Sequence, residues 1–161
     1  MDQIAERAAV AKGTLYNYFE SKDDLYVSIL QQGLDGVLAE IKEESPADGR
    51  PAEETLLTII ERLYSFFMEK RSFFMMLEKE EGRIFNRSDD CYDKICTMKE
   101  LVAEMVSRGI EQGEFRSVDP AFAARMLLSM VKTAVRDVAE RPFRASEIVD
   151  LFVNGIERRD N

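Results

Sequence analysis

Residues 2–26 constrain the fold more than any other stretch of the 161-residue chain. They read Asp-Gln-Ile-Ala-Glu-Arg-Ala-Ala-Val-Ala-Lys-Gly-Thr-Leu-Tyr-Asn-Tyr-Phe-Glu-Ser-Lys-Asp-Asp-Leu-Tyr. Ile4, Ala5 and Ala8 give a short first helix a small apolar face. Ala9-Val10-Ala11 is a tight connection, with Val10 as its expected buried plug. Lys12 to Phe19 form a second short helix whose apolar body is Leu15, Tyr18 and Phe19. Two short helices joined by a few residues are the unit that sets its second helix into a DNA major groove.

The rest of the chain also reads as helix. Ser21 caps the next segment, with Asp23 and Asp24 in its first turn. Leu25, Ile29, Leu30, Leu34, Val37, Leu38 and Ile41 then recur at helical spacing over roughly 20 residues, about 30 Å of helix. Gly33 and Gly36 are expected to bend or weaken it. Ser45 to Pro51 is a loop, with two prolines and a glycine. Ala52 to Lys70 is a central helix, apolar on more than one face. A break near Arg71-Ser72 precedes a short apolar helix that opens with Phe73 to Leu77 and ends in Glu78-Lys-Glu-Glu-Gly82, and Arg83 to Asp90 reads as polar loop. Cys91 to Gln112 is a long amphipathic helix ended by Gly113. Asp119 and Pro120 cap and open a helix from Ala121 to Glu140, and Pro142 stops it. Ser146 is the expected cap of the last helix. No strand pattern or repeat is visible, so the fold class is all-α.

Composition removes several functions. Histidine is absent, which excludes Ser-His and Cys-His catalysis, Glu-x-x-His di-iron sites and His-bearing zinc sites. No Gly-rich phosphate loop is present. The chain reads as a non-enzyme with no cofactor and no metal. Cys91 and Cys96 lack Cys-x-x-Cys spacing and do not share a helix face, so they read as reduced thiols. No apolar run reaches the length of a membrane span and no signal peptide precedes the motif, so the expected location is cytoplasmic, with no membrane partner. The net charge is −9. Residues 1–30 hold Arg7, Lys12 and Lys22 against Asp2, Glu6, Glu20, Asp23 and Asp24, a balance of −2. That is few cations for phosphate neutralisation, so duplex binding calls for a basic arm or for doubling by dimerisation.

The run Ile4-Ala5, Ala8, Val10, Lys12-Gly13-Thr14-Leu15-Tyr16, Tyr18-Phe19, Ser21-Lys22 and Leu25, in one register, resembles the TetR family of bacterial transcriptional regulators. The resemblance covers about 25 residues. It implies an N-terminal helix-turn-helix head, residues 1–30, and an antiparallel helical ligand-binding and dimerisation body, residues 31–161. It implies that Thr14, Tyr16, Tyr18 and Lys22 hold phosphates, that Lys12 and the bare backbone at Gly13 approach base edges, and that Asn17 reaches a base or sugar. Three departures stand out. The family carries a further helix before this pair, often after a basic arm. The expectation is therefore an incomplete head, from a truncated chain, a start assigned too late or a lost segment. Ala9 stands where the family often has Gly, at a cost of about 1 kcal/mol if the turn needs positive φ. Ala11 stands where Ser or Thr would cap the second helix, forfeiting roughly 1 kcal/mol.

The two C-terminal helices are apolar on two faces, more than one core can use. With the family resemblance, this implies a homodimer built through them as a four-helix bundle. Tyr64, Phe67, Phe74 and Met75, with Met98 and Met105 one helix later, are soft, adaptable side chains suited to an apolar ligand of loose shape. The expectation is a ligand-responsive repressor that leaves a palindromic, double-stranded operator when a small hydrophobic or amphipathic effector binds. The alternative is a truncated family member that binds ligand or dimerises but does not bind DNA by itself.

Overall fold

The computed structural model describes residues 1–43, 50–84, 89–137 and 143–156. Among them are eight α-helices and no strand. They are α1 (Asp2–Arg7), α2 (Lys12–Tyr18), α3 (Lys22–Glu43), α4 (Ala52–Glu69), α5 (Arg71–Ile84), α6 (Asp89–Glu111), α7 (Pro120–Arg136) and α8 (Ala145–Ile156). The all-α class expected from periodicity is the class observed.

Local chemistry sets most of the boundaries. The turn between α1 and α2 passes through Ala9 at φ 54°, the left-handed conformation the sequence led one to suspect there. Ala11 occupies the N-cap of α2 without a side-chain bond. Ser21 does cap α3, its Oγ accepting from the Asp24 amide at 3.0 Å. Gly113, at φ 77°, turns the chain out of α6. Asp119 Oδ1 accepts from the amides of Ala121 and Phe122 at 2.9 and 3.2 Å, and Pro120 opens α7.

Other boundaries differ from expectation. Ser146 is not the cap of α8. The helix starts at Ala145, two residues earlier than that cap implies, and Glu147 Oε2 accepts from the Arg144 amide at 2.9 Å, the backward half of a capping box. The apolar helix expected from Phe73 to its end in Glu78–Gly82 runs from Arg71 to Ile84, two residues further at each end. The polar stretch from Arg83 is accordingly helical at Arg83 and Ile84, and α6 is already under way at Asp89. Arg136 closes α7, with the Asp137 amide bonded to Thr133 O at the cap, short of the expected Glu140. The expected loop residues 45–49 and the stop at Pro142 lie outside the described residues.

Two cores of unequal size hold the helices. The main one joins the second half of α3 to α4, α6, α7 and α8 through residues such as Leu56, Ile60, Leu63, Val102, Val106, Leu127 and Val149. Gly36 does not interrupt α3. It lies against Phe66, whose ring is 3.4 Å from where a Cβ would stand, close to ordinary contact. Gly109 is tighter still, because a Cβ there would overlap the ring of buried Phe115. The smaller core, Leu30, Leu34, Cys91 and Ile95, sits between α3 and α6 with Val27 and Met76 against it. Neither cysteine forms a disulfide.

The N-terminal end is thinner. Within residues 1–20 only Ala5 and Leu15 are buried. Val10, expected as a buried plug, is 42 % exposed. Helices of six and seven residues enclose too little volume to cover the turn that joins them.

Candidate functional site

α2 turns one side chain inward and the rest outward. Leu15 is buried, while Lys12, Gly13, Thr14, Tyr16, Asn17 and Tyr18 are exposed, as is Lys22 at the start of α3. Tyr18 is 76 % exposed, an unusual position for a ring unless it has a partner to meet. Nothing lies within 4 Å of a Cβ built on Gly13. That glycine therefore answers no packing need within the chain, and it leaves bare backbone on the outer face. No side chain closes the start of α2, where the Thr14 amide bonds back to the Ala11 carbonyl at 2.9 Å.

The cations on this face are engaged with neighbours. Lys12 Nζ lies 2.8 Å from Asp2 Oδ2 and 5.9 Å from the Tyr16 ring centre. Their hydrogen bond holds the Asp2 carboxyl below the usual carboxylate range and the Lys12 ammonium above the usual lysine range. Both side chains are open to solvent, so the pair is weakly held. Lys22 Nζ sits 5.2 Å from the centre of the Tyr26 ring.

A second feature lies inside the helical body. A cavity of about 40 Å³ is bounded by Leu34 of α3, Phe67 of α4, Phe74 of α5, Ile95, Met98 and Lys99 of α6, and Leu128, Val131 and Lys132 of α7. Phe67 and Phe74 meet at 5.1 Å between ring centres, tilted by 59°. Of the six residues singled out for ligand contact, Phe67, Phe74 and Met98 line this cavity. The other three do not. Met75 is exposed because it is one position past the inward-facing Phe74. Met105 is two turns along α6 and packs into the main core. Tyr64 is one turn before Phe67 and buried in the same core, where its hydroxyl has no hydrogen-bond partner. Burial, with Glu147 nearby, pushes its ionisation upward.

Sequence reasoning missed Leu34, Ile95, Leu128 and Val131 as cavity walls, since each was one more apolar residue in a regular stripe. It also missed Lys99 and Lys132, half-buried cations on an otherwise apolar wall. The signal for these was available, because each lysine directly follows an inward residue, Met98 and Val131.

Outside the body, α7 and α8 form an open apolar groove of about 520 Å³ that includes Met126, Met130, Phe143, Ile148 and Leu151. Phe122, Met126 and Leu151 are exposed on these helices, Leu151 by 68 %. Among the described residues no group of three potential metal ligands occurs, and no helix is long and apolar enough to cross a membrane.

Comparison with known proteins agrees with this architecture. Residues 1–29 match the family model for bacterial regulatory proteins of the tetR family, and residues 49–136 match that for the tetracyclin repressor-like C-terminal domain. The chain is 22 % identical to the fatty acid metabolism regulator protein of Bacillus subtilis over 99 % of its own length and 86 % of that protein. It is 26 % identical to the repressor KstR2 of Rhodococcus jostii over 83 % of its length and 66 % of that protein. Among solved structures, the TetR family regulator PfmR of Thermus thermophilus superposes with a TM-score of 0.76 at 30 % identity, covering 96 % of this chain and 87 % of that one. The regulator FadR of Bacillus subtilis, solved with stearoyl-CoA, superposes with a TM-score of 0.72 at 20 % identity, covering 97 % and 88 %. These matches are to transcriptional regulators, not enzymes. The outward-facing second helix and the matched C-terminal body together make this chain a member of the TetR family of transcriptional regulators.

Proposed function

We propose that the chain is a ligand-responsive, homodimeric transcriptional repressor of the cytoplasm, released from a palindromic operator by a small apolar or amphipathic effector. Residues 1–30 act as the DNA-binding head and residues 31–161 as the ligand-binding and dimerisation body. The observation that carries this reading is the continuity of α3. It starts beside the exposed face of α2 and, unbroken, supplies Leu34 to the internal cavity.

The division of labour follows from exposure. Thr14, Tyr16, Tyr18 and Lys22 meet phosphates, Lys12 and the Gly13 backbone approach base edges, and Asn17 reaches a base or sugar. The open faces of α7 and α8, with Phe122, Met126 and Leu151, are covered by the same helices of a second copy. Phe67, Phe74 and Met98 supply the effector-contacting wall. Lys99 and Lys132 on that wall suit an effector with an anionic end and an apolar tail. Relatives named for fatty acid metabolism, one solved with stearoyl-CoA, make a long-chain acyl-CoA the first effector to try. A cavity of about 40 Å³ is far too small for such a tail. Binding must therefore part the helices around it, and the difference in affinity between the closed and parted forms is what shifts the heads.

The test is fluorescence anisotropy of this chain with DNA from around its own gene, across a salt series, with and without stearoyl-CoA. Sub-micromolar, salt-dependent binding that the acyl-CoA abolishes is expected. A folded dimer with no DNA affinity supports the second reading, a member that binds ligand or dimerises without reading DNA alone. The Lys12–Asp2 pair favours that reading, because it spends a cation of an already acidic head on a neighbouring carboxylate.

A further inference from the structure

A cavity governs a distant helix only if the element between them has two positions and something selects one of them. That element is α3, and its seam with α6 carries a small core of its own. Leu30 and Leu34 from α3 meet Cys91 and Ile95 from α6 in a core separate from the main one. Beside this seam Lys94 Nζ of α6 lies 2.9 Å from Asp35 of α3, and also 2.9 Å from Asp90 one turn back on its own helix. The Lys94 side chain is only 17 % exposed, held over the seam, whereas both carboxylates are open to solvent.

The registers of the two helices interlock. Leu34 and Ile95 line the cavity, and their chain neighbours Asp35 and Lys94 form the ion pair. An occupant that separates Leu34 from Ile95 therefore pulls on the Asp35–Lys94 pair. Asp90 matters because it offers the ammonium a second partner. Lys94 keeps one carboxylate when it lets go of α3, so release does not strand a half-buried charge.

We propose that Lys94 is the positioning residue that locks α3 against α6 in the arrangement of the empty cavity, releasing Asp35 and keeping Asp90 when α3 moves. The cavity half of this rests on the effector reading above; the lock itself does not. A partly exposed pair is weak, and weakness is what a switch needs. It biases the two positions of α3 by a few-fold and leaves the effector able to overcome it.

Hydrogen exchange of the effector-free full chain tests the lock directly. Lys94→Met and Asp35→Asn are expected to speed exchange severalfold in α2 and in residues 22–38, with α7 unchanged. Their double variant should add nothing beyond either one, and Lys94→Arg should stay near the parent. Unchanged exchange in α2 and α3 overturns the proposal, as does a rise spread evenly over α4, α6 and α7, which marks mere loss of stability. Calorimetric titration of stearoyl-CoA into the parent chain judges the effector reading separately. Absence of binding sinks that acyl-CoA as effector and leaves the exchange result standing.

Discussion

The N-terminal twenty residues and the body from α4 to α8 solve opposite problems. The first buries two side chains, Ala5 and Leu15, and turns Tyr16, Tyr18 and Lys12 outward. The second buries Leu56, Ile59, Ile60 and Leu63 along a single helix face. Stability is therefore concentrated in the body, while most N-terminal side chains are free to serve something outside the chain. Two glycines summarise the contrast. Gly109 is glycine because Phe115 fills the space a side chain would take, and Gly13 has open space where its side chain would be.

The sharpest break in this comparison is a cavity on each side of it. Leu63→Ala should cost the whole chain about 2–5 kcal/mol, seen as a lower denaturation midpoint. Leu15→Ala should leave that midpoint nearly where it was and abolish protection of α1 and α2 alone; a full loss of global stability would show that the two regions fold as one. Next comes the glycine pair. Gly109→Ala should destabilise by about 1–3 kcal/mol through overpacking on Phe115. Gly13→Ala should leave melting unharmed and weaken operator binding, measured by anisotropy. Smaller gains are expected from repairing the turn. Ala9→Gly relieves the positive φ, and Ala11→Ser adds a cap, each by about 1 kcal/mol confined to the N-terminal end. Smallest in stability, within about 0.5 kcal/mol, are Tyr16→Phe and Lys22→Ala, since neither is buried. Both should reduce DNA affinity, and Lys22→Ala should lower the salt slope by about 1.

How much could be read in advance follows the same divide. In the N-terminal end and at the caps, single residues carry single jobs. Ala9 in the turn, Ser21 before α3, Gly113 after α6 and Asp119 before α7 were each legible because cause and effect lie within a few positions. In the body the stripes were legible but not which members of a stripe face the gap between helices. That depends on how five helices converge, which brings Phe67, Phe74 and Met98 to one cavity wall together with Leu34, Leu128 and Val131. Tyr64 lies off that wall for the same reason, one turn before Phe67 in the core. The start of α8 went astray because Glu147 reaches back to Arg144, a competing cap that a reading of Ser146 alone does not weigh.

Two helix ends are sealed from far along the chain. Glu114 Oε2 accepts from the amides of Ala52 and Glu53 at the start of α4, at 2.8 and 3.3 Å. Arg71 donates to the carbonyls of Val135 and Arg136 at the end of α7, at 3.1 and 2.9 Å. As the polypeptide leaves the ribosome, α4 emerges with its first amides open and acquires its seal only once residue 114 has followed. The end of α7, in turn, is closed by a residue made 64 and 65 positions earlier. Each clasp locks only after the segments between have been laid down, so synthesis order is written into the body as a sequence of delayed closures.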